Sequence, residues 1–300
     1  MLHQLKEVKP REATWKRYLS GLAFVAPNLI GLLVLTIYPI VYGFYISFTN
    51  WDFFNPPQFV GFQNYLRLLT DEDVRVALIN TLYFIVGSVP GIIIVSLGLA
   101  LLLNLKIKLT NFYRTTYFFP YISSWVAVAI LWSILFNPLN GPINQILRTI
   151  GISQPPGWLI DTKWAMATTI LVFIWKNCGY YMILFLAGLQ SVPRELYEAA
   201  DMDGANAWQT FAKITFPCLT PTTILALILA TISAFKFFDG IYIMTAGGPG
   251  RATMVLMMRI FFVAFQNFDM GAASAISFLL FAFILIITLF QWKLQKHWDL

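Results

Sequence analysis

Six apolar runs, each long enough to cross a bilayer as a helix, dominate this chain: about residues 19–48, 78–103, 116–136, 164–188, 217–238 and 270–292. A helical span needs about 20 predominantly apolar residues. Inside lipid every backbone N–H and C=O must find a partner within the protein, which favours helices. The runs therefore predict an all-α membrane protein with six transmembrane helices. The composition agrees, with 58% hydrophobic and only 11% charged residues, where soluble domains carry about a quarter charged. The first run is too long for the core of a cleaved signal peptide and is expected to be retained. Pro27 and Pro39 are placed to kink it.

The net charge of +6 is read first as topology. Residues 1–18 carry Lys6, Lys9, Arg11, Lys16 and Arg17. Lys106, Lys108, Arg114, Arg194, Lys213, Lys293 and Lys296 fall on the same side in a six-span arrangement. Arg67, Arg75, Arg148, Lys163, Arg251 and Arg259 fall on the other. Basic residues collect on the cytoplasmic face, so the N-tail 1–18 and the C-tail 293–300 are both expected there. Trp15, Trp51, Trp164, Trp292 and Trp298 lie near span ends, where interfacial aromatic belts form. The basic residues form no stripe interleaved with aromatics, so nucleic acid is not an expected partner.

Catalysis and metal binding have little raw material. Cys178 and Cys218 make no metal-ligand spacing, and His3 and His297 stand near opposite ends of the chain. No catalytic residue, metal or cofactor is expected in the chain, and it is not expected to be an enzyme. Carriers driven by ion gradients place ionisable groups inside the membrane, yet the spans hold no carboxylate. Lys176 and Lys236 are their only charges, and Asp239 is the nearest acid. The chain has no Gly-Lys dipeptide and so no phosphate-binding P-loop. Active transport would have to draw its energy from another subunit. A gradient-driven carrier or channel for small polar solutes is the alternative, and a membrane enzyme the third reading.

The segment 189–216, between the fourth and fifth runs, differs from the other loops. Pro193 fits an early helix position behind Ser191, Glu195 and Glu198 put negative charge near the helix start, and Gly204 suits the left-handed residue that ends it. Asn206 and Gln209 have capping-box spacing for a second helix over 207–213. Helices this short need outside support. Either they rest at the lipid headgroups, or a partner holds them. A partner would meet the small residues Ala199, Ala200 and Gly204 and the acidic flank Glu195, Glu198 and Asp201.

Residues 198–217 read E-A-A-x3-G-x9-I-x-F-P. This spacing closely resembles the EAA loop of binding-protein-dependent ABC permeases, with Phe216 in place of the usual Leu. FVGFQNYLRLL at 59–69 and TAGGPG at 245–250 resemble the carbohydrate-uptake branch, the maltose and glycerol-3-phosphate type. The resemblance covers about residues 20–292. It implies the type I ABC importer permease (MetI-like) fold in the bacterial inner membrane. It also implies three kinds of partner besides lipid: a second permease, completing a heterodimer, two ATPase subunits carrying ATP and Mg, and an extracytoplasmic substrate-binding protein. The coupling residues it implies are Glu198, Ala199, Ala200, Asp201, Asp203, Gly204, Ile214 and Pro217.

In relatives of the maltose type the spans flanking this loop hold the sugar. Carried over, the matching positions are Phe173, Lys176, Asn177 and Tyr180, then Ala230, Ser233, Ala234 and Phe237, each set on one helix face. The two faces are expected to line one cavity. Asn177, Tyr180 and Ser233 suit sugar hydroxyls, and Phe173 and Phe237 suit the CH face. Lys176 departs from the maltose pattern. A mid-membrane lysine costs about 3 kcal/mol on insertion scales, so it needs water, a carboxylate, an anionic or hydroxyl-rich substrate, or another subunit's acid or carbonyls.

Overall fold

The computed structural model describes residues 15–105 and 108–295. His3, Lys6, Lys9, Arg11, Lys106, Lys296, His297 and Trp298 lie outside the described residues. The first run forms α1 (Trp15–Leu32), a π turn (Leu33–Ile37) and α2 (Tyr38–Ile46). The π turn ends two residues before Pro39, whose missing N–H cannot continue the i→i−4 ladder. A hairpin of β1 (Thr49–Asn50) and β2 (Gln58–Phe59) follows, then α3 (Gln63–Thr70). The FVGFQNY motif acts here: Asn64 Nδ2 donates to the Ser47 and Thr49 carbonyls, both at 2.9 Å, and pins α3 to the hairpin.

α4 (Glu72–Asn104) starts six residues ahead of the expected span, because Asp71 caps it by accepting from the Asp73 and Val74 amides. The third run is not one straight span. It comprises α5 (Thr110–Ile122) and α6 (Trp125–Leu135), bent by 98° across Ser123 and Ser124. α7 (Pro142–Thr149) leads to the long α8 (Ala165–Ser191). The segment beyond is α9 (Arg194–Met202), α10 (Ala207–Thr210), a π turn (Phe211–Thr215) and α11 (Phe216–Cys218). This π turn also ends two residues before a proline, Pro217. The chain then bends by 65° into α12 (Thr220–Phe235).

Residues 239–267, which join the fifth and sixth apolar runs, contain two helices: α13 (Asp239–Met244) and α14 (Leu256–Phe265) precede α15 (Met270–Gln295). α14 is apolar, and its Leu256, Val263 and Ala264 are buried with Ala272, Ala275 and Ile276 of α15. An apolar helix of 10 residues can hide its face only by packing back on the bundle. Among the described residues, four helices are long and apolar enough to cross a membrane, or six when each bent pair counts as one span.

α8 is the central helix. It runs parallel to α4, with Gly87 and Gly91 of α4 facing Ile170 and Ile174, and with Ser96 Oγ donating to the Cys178 carbonyl at 2.9 Å. Small residues one turn apart let two helices approach closely where lipid supplies no hydrophobic drive between them. Gly179 does the same toward α5, where a Cβ would run into the Tyr117 carbonyl. α12 runs antiparallel to α8, with Thr222 and Leu219 beside Gly188 at one end and Phe237 against Phe173 toward the other.

Candidate functional site

At the C-terminal end of α8 the motif segment folds back as a compact unit. Val192 is buried, and Pro193 is the N-cap of α9 rather than a residue inside its first turn. Ser191 belongs to the end of α8, where its hydroxyl donates to the Gly188 carbonyl at 2.7 Å. α9 ends in a Schellman arrangement: the Ala205 amide donates to Ala200 and the Gly204 amide to Asp201. Gly204 takes φ +73°, a conformation costly for any residue with a Cβ. The capping box is formed, with Asn206 Oδ1 accepting from the Gln209 amide and Gln209 Oε1 from the Asn206 amide, both at 2.9 Å.

The faces of α9 differ. Tyr197 and Ala200 turn inward, and the Tyr197 hydroxyl meets Thr215 Oγ1 at 3.2 Å. Glu195, Glu198, Ala199, Asp201, Met202, Asp203 and Gly204 are exposed. Ala199 and Ala200, paired in the sequence reading, are thus separated: Ala199 is outward, while Ala200 packs within the chain. Pro217 is exposed, and Ile214 is half-buried in the π turn. The surface also carries Met202 at 88% exposure and Trp208 at 73%. Two large apolar side chains beside four carboxylates, on a scaffold fixed by caps, form a surface suited to a partner protein.

Roughly 27 Å back along α8, at 1.5 Å per residue, the second candidate region is built around four rings. Phe173 and Phe237 meet with ring centroids 4.7 Å apart. Trp125 of α6 lies 5.7 Å from Phe173 and 4.6 Å from Phe237. Phe84 of α4 lies 5.1 Å and 5.2 Å from the same two. Gly240 leaves room for the cluster, since a Cβ there would strike Phe237 and Trp125. Ala230 and Ala234 are buried in the same core. The faces expected to line a cavity therefore meet ring to ring at this level.

The other candidate positions disperse. Tyr180 is half-buried and stacks on Tyr121 at 4.6 Å. Asn177 Nδ2 donates to the Phe173 carbonyl within its own helix, and Ser233 is exposed. Lys176 is 2% exposed, and its ammonium donates to the carbonyls of Pro120, Tyr121 and Ser123. It finds carbonyls in its own chain rather than in another subunit. Sequence reasoning missed Trp125 and Phe84, which lie on other helices and have no polar marking. Pro120 followed by Ser123-Ser124 was a signal for the break that positions Trp125.

The end opposite α9 is tied by ions. Arg259 pairs with Asp71 and Asp73 at 3.1 Å, and Arg251 pairs with Asp73 at 2.6 Å and Glu72 at 3.1 Å. The TAGGPG turn is closed by Thr253 Oγ1, which donates to the Gly248 carbonyl at 2.7 Å. Asn80 Nδ2 donates to the Arg251 and Met254 carbonyls and fastens the turn to α4.

Comparison with known proteins accounts for this arrangement. Residues 76–298 match the family model described as binding-protein-dependent transport system inner membrane component. YesP of Bacillus subtilis (strain 168), a probable ABC transporter permease protein, is 37% identical over 295 residues, covering 97% of this chain and 95% of its own. The trehalose/maltose transport system permease protein MalF of Thermococcus litoralis is 36% identical over 278 residues, covering 92% of this chain and 93% of its own. The fold superimposes, with a TM-score of 0.83 and 26% identity, on a chain of a bacterial ABC transporter involved in the import of the acidic polysaccharide alginate. That match covers 94% of this chain and 96% of the other.

Proposed function

The chain belongs to the family of binding-protein-dependent transport system inner membrane components, and from that premise we propose that it is the membrane-spanning permease subunit of an ABC importer for a sugar or sugar-like solute. Its immediate partners are two ATPase subunits, a second permease and an extracytoplasmic binding protein that delivers the solute. ATP is bound and hydrolysed in the ATPase subunits, so this chain contributes no catalytic residue. The α9 end and both termini face the cytoplasm in this reading, which the distribution of basic residues supports.

One observation carries the reading. Glu198 stands exposed, with no partner among the described residues, on a short helix whose inward face is anchored to Thr215. A capped helix that keeps its acidic and apolar side chains outward is built to seat in another protein. Glu198, Ala199, Asp201, Asp203 and Gly204 form the docking face, while Ala200, Ile214 and Pro217 shape the support beneath it. Movement of the docked loop reaches α8 and α12 directly, since it is continuous with both. Alternating access then means parting and closing the Phe173–Phe237 contact, with Asn177, Tyr180 and Ser233 offering hydrogen bonds to a hydroxyl-rich solute when the rings separate. The sugar assignment draws on the trehalose/maltose relative and on the aromatic lining. Uptake of a radiolabelled sugar panel by membrane vesicles holding the assembled importer tests it. ATP-dependent accumulation of at least one sugar supports the reading, and accumulation driven by an ion gradient without ATP contradicts it.

A further inference from the structure

The break between α5 and α6 has a specific chemical requirement. A helix that stops inside hydrocarbon leaves its last carbonyls without amide donors and exposes the negative pole of its dipole. Such a site attracts a cation, and in ion-coupled carriers the C-terminal ends of broken helices coordinate the coupling cation. Here the cation is tethered. Lys176 Nζ donates to Pro120 and Tyr121 at 2.9 Å and to Ser123 at 2.8 Å, which uses all three of its donors. The same ammonium lies 4.9 Å from the Trp125 ring centroid and 5.8 Å from that of Tyr121. Gly179, one turn further along α8, brings α5 close enough for the lysine stem to reach, because its missing side chain makes room for the Tyr117 carbonyl.

Trp125 is the first residue of α6, so the direction in which its ring leaves the backbone is set by the break. We propose that Lys176 is a built-in cation that closes the α5–α6 break and so positions Trp125 against Phe173 and Phe237, rather than a contact for the transported solute. The clause about Trp125 rests on the pathway reading above. Closure of the break does not.

The test places nitroxide labels on Tyr113→Cys in α5 and Ile134→Cys in α6, in a Cys178→Ala, Cys218→Ser background. The assembled importer is held in lipid nanodiscs without solute. Pulsed electron resonance should give one narrow distance for the parent and for Lys176→Arg, and a distribution at least twice as broad for Lys176→Ala. Propylammonium, which replaces the deleted atoms and charge, should restore the narrow distance in Lys176→Ala, while propanol should not. A narrow distribution in Lys176→Ala, or equal effects of the amine and the alcohol, overturns the proposal. Membrane yield gives a second reading that survives a misfolded variant. Closure by the lysine predicts Lys176→Arg near the parent and Lys176→Met below it. A lysine serving solute or water predicts Lys176→Met at or above the parent, since a buried charge is relieved, and that order also overturns the proposal. Neither measurement reads transport, so failure of the importer assignment would leave the result interpretable.

Discussion

The Tyr197 hydroxyl lies 3.2 Å from Thr215 Oγ1, and this single bond joins the two arms of the segment between α8 and α12. Tyr197→Phe removes the bond and keeps the ring. A hydrogen bond of this kind contributes about 1 kcal/mol, so amides in 194–218 should exchange about fivefold faster, while those of α8 stay unchanged. Hydrogen exchange followed by mass spectrometry reads this. Unchanged exchange in the loop would show that packing of Ala200 alone holds α9.

Glycines in the long helices are not equivalent. A Cβ at Gly179 meets backbone of α5, whereas Gly98 of α4 has nothing within 4 Å. Gly179→Ala should destabilise the protein by about 1–3 kcal/mol, the usual range for overpacking, and Gly98→Ala should be tolerated. Thermal unfolding of the two purified variants compares them, and equal melting temperatures would argue against the close α5–α8 approach.

Acid should loosen the end opposite α9. Burial alone would raise the Asp71 carboxyl, but the Val74 amide, the Arg259 guanidinium and the Asp73 amide together hold it below its ordinary 3.8. A carboxyl lowered in the folded state stabilises above its unfolded value and loses that contribution as pH falls through the lowered one. The Arg259 tie should therefore persist through pH 5 and weaken only below about pH 4. Proteolysis within 245–256 across that range checks it, and Asp71→Asn should lose the acid-dependent step.

Much of this was legible in the sequence, and what was not has a common cause. Gly204 and the Asn206–Gln209 box could be read because a helix end is specified by residues within a few positions of it. The all-α membrane class followed from six apolar runs. The partners of Lys176 could not be read, since they are backbone carbonyls 53 to 56 residues away and carry no side-chain signature. Trp125 and Phe84 were missed because aromatic residues in an apolar span look alike until packing distinguishes them. The helical character of 239–267 was hidden by shortness, as α14 has only 10 residues and gains its stability from α15.

The role of the α9 surface can be read directly from ATP hydrolysis. The importer is assembled in proteoliposomes from this chain, its second permease and its ATPase subunits, and hydrolysis is measured with and without solute-loaded binding protein. Glu198→Lys reverses the charge of an exposed carboxylate that has no partner among the described residues. Gly204→Val strains the left-handed turn at φ +73° by about 1–2 kcal/mol. Both variants should insert and assemble at parental levels and lose stimulation by the loaded binding protein. Parental stimulation in Glu198→Lys would contradict the assignment of α9 as the surface through which the ATPase drives this permease.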